Sequence, residues 1–395
     1  MRAFIAEQVF TSSLDDEGAL LDEGAVVVGE DGRIARVGPA RDVVPAGCER
    51  VEVTGVLLPG LFDVHTHLCL SASEDPGRDA LREHPARVAV RAVENLRLHL
   101  EIGVTTIRDV GGVHGVDLEL QRMVDEGVVE GPDVFAAGNV LCMTGGHGCF
   151  MGVECDGADE MRKAARAQMR AGARLIKLIA TGGVITPGVQ PGAQQLTYEE
   201  MRAACEEARK ASRTVAAHAQ GEEGILAALR AGVDTIEHGF WLTDEALALM
   251  AEEGRTFVPT FAALRAMVRM APSLPAFIRD KLEAVVEPQL RSFQRAVERG
   301  VRVATGTDAG TPGNPHGNLK EELEAFQELG VAPRDCWRAA TIHAARALRL
   351  DDRGELREGT RADLIAIERA ALDDVTRFLH PHLVVKRGTV LVQSA

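Results

Sequence analysis

The chain has 395 residues, 46% of them hydrophobic, which is enough apolar material for one large domain and a small one. Its 59 acidic and 44 basic residues give a formal net charge of −15, which opposes binding to nucleic-acid phosphates and to anionic membrane surfaces. No apolar stretch approaches the ~20 residues of a membrane span, and residues 1–18 lack the apolar core of a signal peptide. We therefore expect a cytoplasmic protein with no nucleic-acid and no membrane partner.

Both ends of the chain predict short strands joined by turns. The pattern occupies residues 1–56, where "EDGR" at 30–33 is an acidic-Gly turn typical of a hairpin. It returns after about residue 350 in "GELREGTRADLIAIE" and "LVVKRGTVLV". We interpret residues 1–56 and 350–395 as one small β-sandwich domain built from both termini, with residues 57–349 inserted between its halves.

Residues 57–349 alternate short apolar runs with amphipathic helical stretches. The runs that predict strands are, in order, "VLLPGLFDVH", "VTTIRDV", "DVFAAG", "RLIKLIA", "TVAAHA", "VDTIEH", "TFVPTF" and "VRVATGTD". Eight alternating units over about 250 residues predict a (β/α)8 TIM-like barrel of the α/β class. A doubly wound sheet is the alternative, but no Gly-rich phosphate-binding fingerprint follows the first strand.

Chemically reactive side chains accompany five of the eight predicted strands, and in such barrels they lie at the carboxyl ends of the strands. They are His65 and His67 (strand one), Lys177 (strand four), His218 (strand five), His238 (strand six) and Asp308 (strand eight). Each has a plainer explanation, since a lone histidine is often a hydrogen-bonded core residue and an aspartate before Ala-Gly often caps a helix. Four histidines converging on one barrel mouth are hard to explain by packing alone. His99, inside a predicted helix, is interpreted as structural.

Lys177 is the most informative of these residues. It lies among Leu175, Ile176, Leu178 and Ile179, so its ammonium would be buried at high cost unless paired or neutralised. A neutral amine that captures carbon dioxide becomes a carbamate, whose two oxygens can bridge two cations. Neutral imidazoles and carboxylates suit zinc or a similar divalent ion. The residues together predict a hydrolytic centre with two metal ions.

Seven motifs resemble those of the amidohydrolase superfamily, over essentially the whole chain: "GLFDVHTH", "GVTTIRDVGG", "LIKLIATGGV", "AAHAQG", "TIEHG", "GTDAGTP" and "GELREGTRADL". The resemblance is strongest to the branch that holds Xaa-Pro and other metal-dependent dipeptidases, ochratoxinase-like amidases and relatives of imidazolonepropionase. It implies that His65 and His67 hold one divalent metal, that His218 and His238 hold a second, and that carboxylated Lys177 bridges the two.

The resemblance also implies the reaction. A hydroxide bridging two metals, zinc first with manganese or cobalt as alternatives, would hydrolyse an amide. Asp308 would bind the first metal and pass a proton to the leaving nitrogen. A mononuclear deaminase is disfavoured, because such enzymes lack Lys177 and place a glutamate where this chain has Gly221. A non-enzymatic protein of this fold is disfavoured because all six ligands are present.

The loops after the strands are expected to select the substrate. His147 in "GGHG" resembles a dipeptidase histidine that helps hold the substrate's carboxylate, although a solvent-exposed loop histidine is the alternative. Gln220 stands where the dipeptidases of this branch have tyrosine or histidine, and its neutral amide supplies no charge. His316, in a Gly- and Pro-rich loop, is expected to close over the site, unless the loop is a plain turn.

We predict a small-molecule amide substrate with a carboxylate, either a dipeptide or an N-acyl amino acid. A carbamate, a urea-type amide or a lactone is the alternative on the same centre. We also expect a homo-oligomer.

Overall fold

The computed structural model describes residues 1–15 and 18–393. Within these residues, strands dominate both ends of the chain and alternate with helices between them. The strands are β1 (Arg2–Phe10), β2 (Leu20–Val28), β3 (Ile34–Pro39), β4 (Glu49–Pro59), β5 (Leu61–Thr66), β6 (Val104–Asp109), β7 (Asp133–Ala136), β8 (Val140–Cys142), β9 (Gly152–Glu154), β10 (Leu175–Ile179), β11 (Thr214–Ala219), β12 (Thr235–His238), β13 (Thr256–Val258), β14 (Arg302–Val303), β15 (Leu364–Ile367), β16 (Leu383–Lys386) and β17 (Thr389–Gln393). The helices are α1 (Ala40–Val43), α2 (Pro76–Arg82), α3 (Pro85–Glu101), α4 (Val116–Asp125), α5 (Ala158–Ala171), α6 (Tyr198–Lys210), α7 (Glu222–Ala231), α8 (Asp244–Glu253), α9 (Phe261–Met270), α10 (Ala276–Glu298), α11 (Leu319–Glu328), α12 (Pro333–Ala339), α13 (Ile342–Ala347) and α14 (Arg369–Leu372).

A seven-stranded mixed sheet combines strands from both ends of the chain, in the order β17-β16-β15-β4-β1-β2-β3. β2 and β3 pair antiparallel on either side of residues 29–33, which confirms the predicted hairpin. β1 pairs parallel with β4, and β15 pairs antiparallel with the other edge of β4. The buried core of this sheet includes Phe4, Val26, Leu57, Leu364 and Val385. Both termini therefore contribute to one β unit, separate from the central part of the chain.

The eight predicted strand segments are all present as the parallel strands β5, β6, β7, β10, β11, β12, β13 and β14. β5 to β7 pair with one another, and so do β10 to β14. The first and last of these segments meet through hydrogen bonds from Val64 N to Thr305 O (3.0 Å) and from Asp308 N to His65 O (2.7 Å). This closure produces the predicted (β/α)8 barrel and places His65 beside Asp308.

The barrel departs from a regular pattern after its third strand. β7 and β10 are linked by the hydrogen bond from Arg174 N to Ala136 O (2.9 Å), while β8 pairs with both β10 and β9. The segment after β7, which was predicted as a loop, therefore contains two short strands. Each has only three residues, too few for an alternating pattern to be recognised in the sequence. Residues 143–151, between these strands, carry His147.

Helices lie between the successive barrel strands along the chain, and α3 to α11 each bury apolar side chains. α6 shows how the sequence produces such a helix. Thr197 caps its amino end by accepting a hydrogen bond from the Glu200 amide, while the Glu200 carboxylate accepts one from the Thr197 amide. Met201, Ala204 and Ala208 then recur at helical spacing and are buried. Among the described helices, none combines the length and the apolar character that a bilayer crossing requires.

A buried ionic cluster joins the terminal β sheet to the barrel, at the amino end of β7. The carboxylate of Asp133 lies 2.7 Å from Arg353, 2.6 Å from Arg361, 2.7 Å from Lys386 and 3.0 Å from Arg387. Burial alone would raise the pKa of Asp133, but the cations outweigh it and hold this pKa well below its ordinary value. The cluster links the amino end of β7 to the carboxy-terminal part of the chain, whereas the predicted reactive residues lie at the carboxyl ends of the barrel strands.

Candidate active site

Three residues at or after the carboxyl ends of barrel strands have left-handed backbone conformations, which side-chain-bearing residues adopt rarely. The φ angles are 70° at His238, 60° at Thr260 and 56° at Asp308. Such conformations cost of order 1–3 kcal/mol each, and they cluster at functional sites. All three side chains line a single pocket at the carboxyl ends of the strands.

This pocket encloses about 70 Å³ and brings together all six predicted metal ligands. They are His65, His67, Lys177, His218, His238 and Asp308. Two of the three predicted substrate-binding residues, His147 and Gln220, line the same pocket. His316 is not part of its lining. The convergence arises because β10, β11 and β12 are parallel neighbours, and because closure of the barrel places β5 beside the last strand segment.

Five imidazole rings follow one another around the pocket. The distances between successive ring centroids are 5.5 Å (His67 to His65), 5.1 Å (His65 to His238), 4.6 Å (His238 to His218) and 4.5 Å (His218 to His147). Burial lowers the pKa of His65, His218 and His238 well below the ordinary value for histidine. These three rings are therefore neutral near pH 7, and a neutral imidazole carries the lone pair that a metal needs.

Each of the four predicted histidine ligands has one ring nitrogen held by the protein. The pairs are His65 Nδ1 with Glu237 Oε2 (2.7 Å), His67 Nδ1 with Gly111 O (2.9 Å), His218 Nε2 with Gly182 O (3.0 Å) and His238 Nδ1 with Thr260 Oγ1 (2.8 Å). Carboxylate and carbonyl oxygens only accept hydrogen bonds, so the bonded nitrogen carries the proton in the first three pairs. Thr260 gives its own proton to Pro259 O (2.6 Å) and so accepts from His238. In His65, His218 and His238 the other ring nitrogen keeps a lone pair that can bind a metal. Burial would lower the pKa of His67, but the bond from its Nε2 to Asp308 outweighs burial and raises this pKa.

The free atoms are grouped as a divalent cation requires. His65 Nε2 and His67 Nε2 lie 3.5 Å and 3.2 Å from Oδ1 of Asp308. Ligand atoms of His65, His238 and Asp308 all lie within 4.8 Å of one another. Nitrogen and carboxylate oxygen are the donors that zinc and similar ions prefer, and second hydrogen bonds from ligating histidines are usual at such sites. The residues therefore fit a metal.

Lys177 lies in the same pocket and is 2% exposed. Burial is the main cause that lowers the pKa of its amine to about 8, with Glu237 acting in the opposite direction and Arg108 adding to the shift. A lysine with this pKa has a neutral fraction of roughly one in ten at pH 7. The neutral amine is the form that reacts with carbon dioxide.

A buried charge pair behind the histidines was missed in the sequence. Arg108 on β6 donates from Nη2 to both carboxylate oxygens of Glu237 on β12 (2.8 Å each) and from Nη1 to Thr235 (2.9 Å). Arg108 and Glu237 are fully buried, so each charge depends on the other. A signal existed, because "TIRDV" and "TIEHG" each place a charge inside an apolar strand, where it needs a partner.

His147 is held by the loop that follows β10. Its Nδ1 lies 2.7 Å from Thr186 Oγ1, and its amide donates to Gln195 Oε1 (3.0 Å). Lys281 on α10 fixes that loop by donating to Gly183 O (3.2 Å) and Thr186 O (2.6 Å). Burial, together with the cations of Lys177 and Lys281, lowers the pKa of His147 to about 3. His147 therefore offers a ligand hydrogen bonding but no positive charge.

The side chain of His316 is hydrogen-bonded to another histidine and does not line the pocket. Its Nδ1 lies 3.0 Å from Nε2 of His99, which is fully buried on α3. His99 thus has a packing role, as its helical position suggested. The sequence did not reveal this contact because 217 positions separate the two residues.

Two glutamines present unused acceptors to the pocket. Oε1 of Gln220 and Oε1 of Gln289 are buried, and neither has a hydrogen-bond partner among the described residues. Nε2 of Gln289 is bonded to Pro259 O. Buried polar atoms are nearly always satisfied, so both oxygens are ready to accept from a bound molecule. Gln289 was missed because it lies in the middle of α10, far from any strand end.

The profile of the amidohydrolase family matches residues 56–391. The chain belongs to the amidohydrolase family. The predicted resemblance is thereby confirmed, and the chain is a hydrolase of a family whose members generally use metal ions.

Individual relatives agree with this membership. An ochratoxinase of Aspergillus niger is 31% identical over an alignment of 404 positions, which covers 93% of this chain and 82% of the relative. An imidazolonepropionase of Paracoccus denitrificans is 26% identical, over 89% of this chain and 90% of the relative. The crystal structure of a Xaa-Pro dipeptidase with methionine bound in its active site superposes with a TM-score of 0.89 at 28% identity, covering 99% of both chains.

Proposed function

We propose that this protein is a metal-dependent amidohydrolase that cleaves the amide bond of a small dipeptide or N-acyl amino acid. The observation that carries the proposal is the arrangement of the six predicted ligands around one small pocket, with each ligating histidine fixed through its other nitrogen. The ochratoxinase and Xaa-Pro dipeptidase relatives support cleavage of C–N bonds. The methionine bound in the dipeptidase supports a substrate that contains an amino acid.

The proposed centre holds two divalent ions, with zinc as the first expectation and manganese or cobalt as alternatives. His65, His67 and Asp308 would hold one ion and His218 and His238 the other. The ions would lower the pKa of water and polarise the substrate's carbonyl group. Carboxylated Lys177 would contribute one oxygen to each, and the lowered pKa of its amine favours this modification.

Asp308 is proposed to move the proton. Its carboxylate faces His65 and His67, and its amide is fixed by the hydrogen bond to His65 O (2.7 Å). From this position Oδ2 can take a proton from the attacking water and deliver it to the leaving nitrogen, as base and then acid. Its left-handed backbone directs the carboxylate into the pocket.

His147, Gln220 and Gln289 are proposed to position the substrate. His147 Nε2 is the ring atom left over by the bond to Thr186, and it can donate to a carboxylate when Nδ1 accepts. The two glutamine oxygens can accept from an amide N–H. We do not retain His316 as a contact, because it does not line the pocket and its Nδ1 is bonded to His99.

The test combines metal content with turnover. Metal-loaded protein is assayed on dipeptides and N-acyl amino acids with zinc, manganese and cobalt, and elemental analysis should find two ions per chain. Lys177→Ala should lose one ion and nearly all turnover, with partial rescue by small carboxylic acids. Asp308→Asn should lower kcat at least about a hundredfold. Lys210→Ala, at an exposed lysine paired with Glu207 on α6, serves as the control.

The outcomes separate the possible functions. One tightly held ion with full activity contradicts the two-metal centre, and an active Lys177→Ala variant with both ions contradicts the bridging role. The neutrality of His147 favours one second candidate, in which the substrate is a neutral carbamate, urea-type amide or lactone. That candidate is supported if the wild type hydrolyses such compounds faster than any carboxylate-bearing amide.

A further inference from the structure

The active-site pocket adjoins a second, much larger cavity. Gly148, Phe150 and Ile185 line both spaces. The inner pocket encloses about 70 Å³ and the outer cavity about 720 Å³. Ligand sites for small molecules usually measure about 300–1,000 Å³, so the outer cavity has the size of a binding site and the inner pocket alone does not.

The inner pocket contains one carboxylate. Among its lining residues Asp308 is the sole acidic side chain, and the proposed function assigns it to the metal and the proton. The α-ammonium of a dipeptide sits on the carbon next to the scissile carbonyl and would lie in this pocket. The rest of the space is surrounded by His147, by the uncharged amides of Gln220 and Gln289, and by the apolar Val184, Phe240 and Leu264. A buried ammonium without an anionic partner is strongly disfavoured.

The outer cavity has an apolar wall that continues from the inner pocket. Leu274 and Ile278 pack in one buried cluster with Val184, Phe240 and Leu264, and Phe277 packs against the same cluster. The charged residues of the cavity are exposed at its rim and balance one another. They are Glu74, Asp75, Arg78 and Arg82.

The nearby lysine is not available to a ligand's acyl group. Lys281 Nζ is committed to the carbonyls of Gly183 and Thr186, and it lies 5.2 Å from the ring centroid of Phe277. Apart from the four charged residues at the rim, the side chains that line the outer cavity carry no charge.

We propose that the outer cavity binds a bulky, uncharged, apolar acyl group, so that the substrates are N-acyl amino acids and not dipeptides with a free amino terminus. This inference rests on the proposed amide hydrolysis. Of the two proposed substrate classes, it selects the N-acyl amino acids over the dipeptides. The acyl carbonyl lies in the inner pocket, and the chain attached to it passes Phe150 and Ile185 into the outer cavity. Apolar burial there replaces the ion pair that a dipeptide would need.

The test compares two compounds that differ in one group. N-(3-phenylpropanoyl)-alanine and phenylalanyl-alanine are identical except for the α-ammonium of the dipeptide, and N-acetyl-alanine removes the bulky acyl chain. Ketomethylene analogues of all three cannot be hydrolysed, so calorimetry with metal-loaded protein measures binding without turnover. We expect the phenylpropanoyl analogue to bind at least about tenfold more tightly than either of the others. Equal or tighter binding of the phenylalanyl analogue overturns the inference.

Ile185 permits a sharper test at the junction of the two spaces. Ile185→Asp supplies the carboxylate that the pocket lacks, and it should reverse the preference between the two matched analogues. Ile185→Asn adds polarity without charge, and it should weaken the phenylpropanoyl analogue without strengthening the phenylalanyl one. If the aspartate variant does not fold, Phe277→Ala should weaken the phenylpropanoyl analogue and leave the acetyl analogue unchanged. An unchanged preference in a folded Ile185→Asp variant counts against the inference.

Turnover of the three amides is measured in parallel. If none is hydrolysed while the binding order holds, the proposed function fails and the cavity's preference stands. If the dipeptide is hydrolysed at least as fast as its phenylpropanoyl counterpart, with matching affinities, amide hydrolysis stands and the inference fails.

Discussion

Nδ1 of His65 lies 2.7 Å from Oε2 of Glu237, and neither side chain is more than 1% exposed. The carboxylate fixes the ring so that Nε2 faces Asp308 at 3.5 Å. Glu237 is held in turn by both oxygens through Arg108. The position of one proposed metal ligand is thus set by a charge pair that contacts no substrate.

Glu237→Gln should weaken metal binding although it removes no ligand. The amide holds His65 less strongly than the carboxylate and leaves Arg108 without its counter-charge. Loss of such outer hydrogen bonds typically costs about 10–100-fold in metal affinity. Competition with a chelator measures the dissociation constant, and circular dichroism checks the fold. Glu207→Gln is the matched control, because Glu207 pairs with Arg162 and Arg166 on the outside of the barrel. Equal affinity in the wild type and Glu237→Gln would show that backbone packing alone positions His65.

His147→Ala should reduce kcat/KM on carboxylate substrates roughly tenfold to a hundredfold, the usual effect of one lost hydrogen bond to a charged group. The loss should spare amidated or esterified counterparts. Thr186→Val removes the hydroxyl that orients the ring through Nδ1 (2.7 Å) and should produce a smaller loss of the same kind. The measurement uses paired acid and amide substrates on each variant. Equal losses on both members of a pair would make His147 a structural residue.

Asp133→Asn should destabilise the fold by about 3–5 kcal/mol, the scale for breaking a buried ion pair. The change leaves Arg353, Arg361 and Lys386 close together without the carboxylate that holds them. Chemical denaturation at pH 7 measures the free energy of unfolding. Glu94→Gln, in an exposed pair with Arg97 (3.4 Å), should change it by less than about 0.5 kcal/mol. If both variants changed the free energy of unfolding by similarly small amounts, the ionic cluster would not stabilise the contact between the sheet and the barrel.

The buried carboxyl group of Glu322 should make the stability of the protein depend on pH. Its Oε2 accepts from the Ala262 amide (2.8 Å), its Oε1 has no partner among the described residues, and burial raises its pKa well above the ordinary value. A raised folded pKa means that the wild type loses stability as pH rises from the unfolded value of about 4.3 toward the folded one. Glu322→Gln has no proton to lose. The free energy of unfolding of Glu322→Gln, relative to that of the wild type, should therefore increase with pH by up to about 1.4 kcal/mol per pH unit.

The adjacent residue supplies a control of opposite sign. Arg269 lowers the pKa of Glu321 despite the partial burial that would raise it, so Glu321 stabilises the fold above its unfolded pKa. Glu321→Gln should be less stable than the wild type at pH 7, and the gap should close as pH falls below about 4. Denaturant titrations between about pH 2 and pH 8 measure both variants. A pH-independent difference for Glu322→Gln would mean that Glu322 is ionised in the folded protein.

The sequence predicted what depends on short-range pattern. Alternation of strands and helices located all eight barrel strands, and residues at strand ends, such as His65 and His238, share a pocket because parallel strands end on one side. Contacts between residues that are far apart in the sequence could not be predicted from local pattern. The pairs Arg108–Glu237 and His99–His316 join elements 129 and 217 positions apart, and no local periodicity encodes such partners.

The place of β4 in the terminal sheet has a consequence for biosynthesis. β4 is complete at Pro59, but its neighbour β15 begins at Leu364, about 300 residues later. At a translation rate of about 5–20 residues per second, one edge of β4 remains unpaired for roughly 15 to 60 s, until β15 has been synthesised. Leu57 and Leu58 lie on that edge, opposite Ala366 and Ile365 in the finished protein. An unpaired apolar edge recruits other strands, so the emerging chain is exposed to aggregation for the whole interval between the synthesis of β4 and that of β15.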